Sequence, residues 1–397
     1  MVSNMHSVTN SPTAVLQLPP LSLYVHIPWC VQKCPYCDFN SHAQPTTIPE
    51  AAYIACLLAD LDADLGYVQG RHLSSIFIGG GTPSLFSAKG IAQLLQGIEQ
   101  RIPFAEQIEI TLEANPGTFE TERFSGFVAA GVNRLSIGVQ SLQANQLIKL
   151  GRIHDPEQAQ QAAAHAATLP LASFNLDLMH GLPGQTLATA MADLDGIIAL
   201  NPPHISWYQL TIEPNTLFAS KPPVLPDDDI LWEIYEQGHL RLAAAGYEQY
   251  EVSAYGKHGH RGQHNRNYWQ FGDYLGIGCG AHGKITLPAQ GTIIRTEKVK
   301  HPRGYMELTR SYTFKQWQVP ASELLFEYFM NRLRLLAPVP KAEFQAFTGL
   351  PISAAENALA DAIEKGFIVS SPEHWHTTAT GRLYLNQVLA DLLADTE

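Results

Sequence analysis

The chain has 397 residues, 45% of them hydrophobic and 16% charged, the balance of a folded protein rather than a disordered one. Its formal net charge of -12 argues against a general binder of nucleic acid or anionic membrane, and no nucleic-acid partner is expected. No apolar run approaches the roughly 18–20 residues of a spanning helix, and the start lacks the features of a secretory signal. A cytoplasmic protein is expected, peripheral at the inner membrane only through partners.

Residues 1–20 are polar and rich in Ser and Thr, which predicts a flexible lead-in. From 21 to 250, short β-rich runs at 23–27, 75–79, 108–113, 134–139, 173–179 and 205–210 alternate with helical spacing. The first such helix, over 49–68, places Tyr53, Ile54, Leu57, Leu58, Leu61 and Leu65 on one face, and 227–245 is another. Six strands alternating with helices predict an α/β fold with a parallel sheet curled into a partial (β/α)6 TIM-like barrel. In such barrels the site gathers at the carboxyl ends of the strands. There the sequence puts a cysteine loop after strand one, Gly79-Gly80-Gly81-Thr82-Pro83 after strand two, Glu113 at the end of strand three and Gln140 after strand four. Residues 251–309 are rich in Gly, His, Tyr and Asn, with little periodicity. Helical patterns at 322–336 and 351–365, a β-like run at 367–370 and a helical tail at 379–394 predict a mainly helical C-terminal domain over 310–397. A winged-helix-like shape would invite a DNA-binding reading, but the acidic balance favours a packing or lid role.

Three of the five cysteines fall in WCVQKCPYCDFN, residues 29–40, as Cys30-x3-Cys34-x2-Cys37. In a reducing compartment such a cluster reads as a metal or Fe–S site rather than a disulfide framework. A structural zinc wants four ligands, often two separated pairs. A zinc knuckle and free thiols stay open as alternatives. A triplet in one loop can hold three irons of a [4Fe-4S] cube and leave the fourth open to a small chelating ligand. The glycine run lets backbone approach a ligand, and successive N–H groups can cradle a carboxylate. Glu113 and Asp177 sit in otherwise apolar strands, where a buried carboxylate must be paired or ligand-bound; Arg134 and Arg152 are the alternative partners.

The C-x3-C-x2-C triplet, with the aromatic Tyr36 just before its third cysteine, resembles the signature of the radical S-adenosylmethionine (SAM) superfamily. The resemblance extends over roughly residues 21–390, through Tyr24-Val25-His26-Ile27-Pro28, GGGTPS at 79–84, Glu113-Ala114-Asn115-Pro116, Gly138-Val139-Gln140-Ser141, Gly151-Arg152 and Asp177-Leu178-Met179-His180-Gly181-Leu182-Pro183. Within the superfamily it is closest to the branch of oxygen-independent coproporphyrinogen III dehydrogenases and HemW-type heme chaperones. It implies a [4Fe-4S] cluster on Cys30, Cys34 and Cys37, with SAM chelating the open iron; the family cleaves SAM to a 5′-deoxyadenosyl radical, and the sequence leaves open whether this chain does so or only binds it. It also implies SAM contacts at Tyr24, Tyr36, Gly80, Gly81, Thr82, Glu113, Gln140, Arg152 and Asp177, some of them at a second SAM site.

The dehydrogenase pattern continues to a fourth, catalytic cysteine two residues after the third. Here that position is Phe39. A phenyl ring offers no thiol for hydrogen transfer, so the decarboxylating chemistry is in doubt and no catalytic residue is assigned. The C-x3-C-x2-C-x-F form resembles the chaperones, as does His264-Asn265-Arg266-Asn267-Tyr268-Trp269, which the resemblance associates with heme, supported by the neighbouring Gly276-Ile277-Gly278-Cys279-Gly280-Ala281-His282-Gly283. His264 could ligate heme iron, Tyr268 and Trp269 offer flat apolar surface, and Arg266 could pair a propionate. His258 and His260 leave room for a small metal site. The expectation is a heme chaperone serving membrane-bound respiratory proteins, with the dehydrogenase as the alternative. A regulatory or scaffold role for the C-terminal region has nothing positive in its favour, and a homodimer is left open.

Overall fold

A computed structural model describes residues 15–44, 46–117, 121–307 and 311–394. Most of the expected flexible lead-in, residues 1–14, lies outside the described residues. All six expected strands form: β1 (Leu21–Ile27), β2 (Leu73–Gly80), β3 (Phe104–Ala114), β4 (Arg134–Gln140), β5 (Ser173–His180) and β6 (His204–Gln209). They pair in chain order and all in parallel. The 251–309 segment adds more than a loop. After the short strand β7 (Glu248–Gln249), it supplies β8 (Ala254–Gly256), β9 (Asp273–Ile277), β10 (His282–Leu287) and β11 (Thr292–Lys298), followed by β12 (Thr313–Gln318). β9 runs parallel to β1 as a seventh parallel strand, and β10, β11 and β12 extend that edge antiparallel. The sheet order is β12-β11-β10-β9-β1-β2-β3-β4-β5-β6-β8-β7. It is the open, partial barrel expected, with no pairing of β6 back to β1 among the described residues. β9 escaped the sequence because DYLGI is only five residues long and runs straight into a glycine-rich loop, leaving no alternation to detect.

Strand alternation assigns the two faces of this sheet. Leu23, Val25 and Ile27 of β1, Ile76 and Ile78 of β2, Leu135 and Ile137 of β4 and Leu176 and Leu178 of β5 turn outward and are fully buried in the main core beneath the helices. The other face carries Tyr24, His26, Glu109, Thr111, Glu113, Arg134, Ser136, Asn175, Asp177, His204, Ser206 and Tyr208, aligned across the parallel register. The barrel interior is therefore polar and hydrogen-bonded, and its apolar core lies outside the sheet.

The covering helices include Glu50–Asp64, Ala88–Glu99, Pro156–Thr168, Leu187–Ala199 and Asp228–Ala244. Side chains cap several of them: Ser87 accepts from Gly90 N–H, and Asp155 with Gln158 forms a capping box. The expected 49–68 helix stops at Asp64 and passes into a 3-10 turn. The C-terminal region holds helices and a three-stranded antiparallel sheet of Val339–Pro340, His374–Thr377 and Ile368–Ser370. Its core of Tyr328, Phe329, Phe344 and Trp375 packs against Phe271 and Ile293 of the main sheet region. The expected 351–365 helix is two pieces, Ile352–Ala358 and Ala360–Glu364. No helix among the described residues is long and apolar enough to cross a membrane.

One buried ionic network ties the β9–β11 extension to the first helix. Lys298 Nζ, fully buried at the end of β11, donates to Asp60 Oδ1 at 2.6 Å and Asp64 Oδ2 at 2.7 Å. Tyr305 Oη donates to Asp60 Oδ2 at 2.6 Å, and Gly278 N–H, in the loop after β9, donates to the same oxygen at 3.1 Å. Burial opposes the Lys298 charge, but the two carboxylates more than offset it and hold its pKa above the ordinary lysine value. A Lys298→Met variant leaves two buried carboxylates without their cation and is expected to lose about 3–5 kcal/mol. Urea unfolding measures this; a loss under about 1 kcal/mol would show that the network does not hold the extension in place.

Candidate functional site

The carboxyl ends of β1–β6 open into a cavity of about 530 Å³. The cysteine loop crosses its mouth. Gly81 N–H donates to Ile27 O and Thr82 N–H to Trp29 O, which pins the GGGTP turn beneath that loop. The glycines are sterically required here. Gly80 has φ +113, and a Cβ on it would run into the His26 ring; a Cβ on Gly81 would meet the Trp29 carbonyl. Cys30, Cys34 and Cys37 all line the cavity, and Cys37 N–H donates to Cys34 O at 3.2 Å. Burial pushes the Cys30 and Cys37 thiols above the ordinary value. The other two cysteines are elsewhere: Cys279 is buried beside Tyr53, and Cys56 lies against the Met306 carbonyl.

Tyr36, Gly80, Gly81, Thr82, Glu113, Gln140, Arg152 and Asp177 line the same cavity. Glu113 Oε2 accepts from Gly80 N–H at 3.0 Å. Neither Arg152 nor Arg134 makes an ion pair with it among the described residues; Arg134 reaches Glu109 instead, at 4.0 Å. Burial, reinforced by the Asp177 carboxylate, pushes Glu113 up to about 8. Asp177 is also raised by burial, although it accepts from Asn175 Nδ2 at 2.7 Å and Ser136 Oγ at 3.3 Å. Two neighbouring carboxylates whose pKa values are both pushed up in one cavity form a receptor for a cation, which would favour their charged state.

Arg152 occupies the opposite wall. Its Nη2 donates to Asn115 Oδ1 at 2.6 Å and to the Gly138 carbonyl at 2.8 Å, and its Nη1 lies 3.6 Å from Cys34 Sγ. Asn115 Nδ2 in turn donates to Thr82 Oγ1 at 3.2 Å. The cysteine loop, the glycine turn and the ends of β3 and β4 are thus one hydrogen-bonded unit. Gln140 has the left-handed φ of 69, beside a register shift in β4, and accepts from Tyr208 Oη at 2.8 Å. Ser136, Tyr208, Thr211 and Glu213 also line the cavity and were not singled out from the sequence. For Ser136 and Tyr208 the signal was present: both take the inward phase of RLSIGVQ and HISWYQ.

The structure sets Tyr24 and His264 apart from this group. Tyr24 shares a hydrogen bond of 3.0 Å with His26 Nδ1 and faces a second cavity. His26 Nε2 must carry the ring proton, because its partner at 2.8 Å is the Asn40 carbonyl, which can only accept; Tyr24 Oη then donates to Nδ1. His264 is 1% exposed and lines neither cavity. Its helix, Gln263–Trp269, docks its first N–H groups on the Glu109 carboxylate. Its Nδ1 hydrogen-bonds to Ser75 Oγ and its Nε2 to Tyr268 Oη, both at 2.9 Å, and the ring stacks on Phe77. In this arrangement His264 closes the barrel interior and offers no free nitrogen. Two later members of its motif, Tyr268 and Trp269, do reach the second cavity.

That cavity, of about 830 Å³, lies between β1, β9 and β10. Its walls combine the rings of Tyr24, Tyr268, Trp269 and Tyr274 with Lys33, Lys300, Arg295, His42 and His282. Phe39, 58% exposed, lines both cavities, as do Lys33, Asp38 and Ser41.

Comparison with known proteins agrees with this architecture. Residues 24–195 match the radical SAM superfamily and residues 319–384 the HemN C-terminal domain. The chain is 57% identical over 381 residues to "Heme chaperone HemW" of Escherichia coli (strain K12), covering 96% of this chain and 100% of that protein. It is 58% identical to the protein of the same name from Haemophilus influenzae, covering 96% and 99%. Its fold is that of the solved coproporphyrinogen III oxidase (HemN) from Escherichia coli, with a TM-score of 0.79 at 22% identity, over 96% of this chain and 92% of that one. The chain belongs to the HemW heme-chaperone family of the radical SAM superfamily.

Proposed function

We propose that the protein is a heme chaperone that carries a [4Fe-4S] cluster and SAM, binds heme and delivers it to respiratory proteins at the membrane. The observation that carries the choice of carrier over porphyrin-forming enzyme is Phe39. It stands on the lip shared by the two cavities, where the dehydrogenase pattern has its fourth cysteine. A phenyl group there can neither transfer hydrogen nor contact a propionate through sulfur.

The donor set of the first cavity fits the cluster. It presents three thiols from one loop, and no fourth cysteine lines it. Among the described residues no three His, Cys, Asp or Glu side chains converge as a single ion would require. A cube would need no such convergence: Cys30, Cys34 and Cys37 would hold it through three separate irons, and an iron without a protein ligand would be open to the SAM amino-acid head. When reduced, the cluster supplies one electron. The chain's own residues do the binding: the Gly80–Thr82 turn, its N–H groups already engaged by Glu113, Ile27 and Trp29, brings side-chain-free backbone up to the ligand, Glu113 and Asp177 receive positive charge, and Arg152 steadies Cys34. The second cavity, flat-walled and basic, suits a planar dianion.

After anaerobic reconstitution, Cys30→Ser, Cys34→Ser and Cys37→Ser are each expected to lose iron and sulfide, while Cys56→Ser keeps them. Full occupancy in all three would rule out ligation by this triplet. The reconstituted wild type is expected to bind heme about 1:1 and to form no protoporphyrinogen with SAM and reductant; robust formation would make it an oxidase. Glu113 adds a pH test. Its ligand-free form holds a proton below about pH 8, so capture of the SAM cation must expel that proton. Affinity is expected to rise with pH by up to roughly tenfold per unit below 8 and to level off above it. Calorimetry in buffers of different ionisation enthalpy reads the released proton. Glu113→Gln should bind more weakly and lose the pH dependence; an unchanged profile would remove Glu113 from the site.

A further inference from the structure

The histidines near the second cavity differ sharply in what their rings already do. His26 spends both nitrogens, on Tyr24 and on the Asn40 carbonyl. His264 spends both on Ser75 and Tyr268. His42 Nε2 meets Asn40 Oδ1 at 3.3 Å, and its ring lies against that of His301, which is not in the cavity wall. His282 is different. It opens β10, lines the cavity, is solvent-exposed and has no side-chain hydrogen bond among the described residues.

Its backbone, by contrast, is firmly held. The preceding loop is anchored by Gly278 N–H to Asp60 and Tyr305, by Gly280 N–H to the Val299 carbonyl and by the Ala281 carbonyl to Lys298 N–H. Asn40 Nδ2 also donates to the Cys279 carbonyl at 3.0 Å and the Lys300 carbonyl at 2.8 Å. The backbone thus places the imidazole, and among the described residues neither ring nitrogen is spent on another group.

We propose that the second cavity is the heme pocket and that His282 supplies the axial ligand to the heme iron. This rests on the chaperone function proposed above. Tyr24, Tyr268 and Trp269 give the porphyrin its flat walls, and Lys33 at the open rim meets a propionate, with Lys300 joining it by giving up its ion pair with Glu297. One imidazole occupies one face of the iron and leaves the opposite face for a ligand from the acceptor. Handover is then ligand exchange: the acceptor–iron bond forms as the bond to His282 breaks, with no change in oxidation state.

The test is a heme titration of the reconstituted full-length chain, wild type beside His282→Ala and His264→Gln. Cluster absorbance and thermal melting serve as folding controls. His282→Ala is expected to shift the Soret band and weaken binding at least roughly tenfold, the scale of losing one metal-site contact, with added imidazole restoring the band. A wild-type band and affinity in His282→Ala overturn the assignment, as does a change confined to His264→Gln. Failure of the wild type to bind heme at all overturns both the assignment and the chaperone function.

Discussion

A barrel whose inward face is polar is stable only when most of its inward groups find partners. That constraint organises the molecule. The outward residues of the parallel strands pack in the ordinary way beneath helices, while the inward ones form stacked rows of hydrogen bonds. Low in the barrel, Ser22, Ser75, His264 and Tyr268 link in sequence, and His204 joins Asn175 to Tyr250. These rows are internally satisfied, which makes them structural. At the top the pattern changes. Glu113 and Asp177 are left without a cation and are pushed toward neutrality. The interior thus grades from closed hydrogen bonding below to unmet electrostatic demand above, and that demand locates the ligand.

The two cavities share this logic and a wall. The first looks down into the barrel; the second lies to its side, over the β9 extension. The extension depends on burying Lys298 between Asp60 and Asp64, an arrangement that holds the glycine-rich loop after β9 at the height of the cysteine loop. A second buried set does the same lower down, where Asp273 receives Arg71, Lys284 and Thr286. Breaking such a set leaves a charge stranded in a low-dielectric interior, so both act as fixed joints.

Much of this was legible in the sequence. The six strands came from β-rich runs between helical periods, and the cavity residues from motif-like groups at strand ends, because parallel topology carries all those ends to one side. Eight of the nine residues implied for SAM line one cavity, and Tyr24 turns to the next. The illegible part has physical causes. β9 is too short and too glycine-flanked to show alternation. His264 is a heme-ligand expectation through the resemblance of its motif; the carboxylate that docks its helix, Glu109, lies 155 positions away, and only the folded chain shows the ring already engaged on both sides. His282 lay inside the glycine-rich stretch at 276–283 that the sequence did single out, but only the folded chain shows that its ring lines the second cavity without a hydrogen-bond partner among the described residues.

Asn40 has a consequence beyond its own hydrogen bonds. Its carbonyl accepts a hydrogen bond from His26 Nε2, its side chain reaches the Cys279 carbonyl after β9 and the Lys300 carbonyl after β11, and it lies three residues after Cys37. The stretch between them is therefore a ruler, clamped at one end by the triplet and at the other by Asn40. A chain that lengthened or shortened it by one residue could keep every named side chain and still lose the alignment of its two compartments. Spacing there, as much as composition, is what heredity has to preserve.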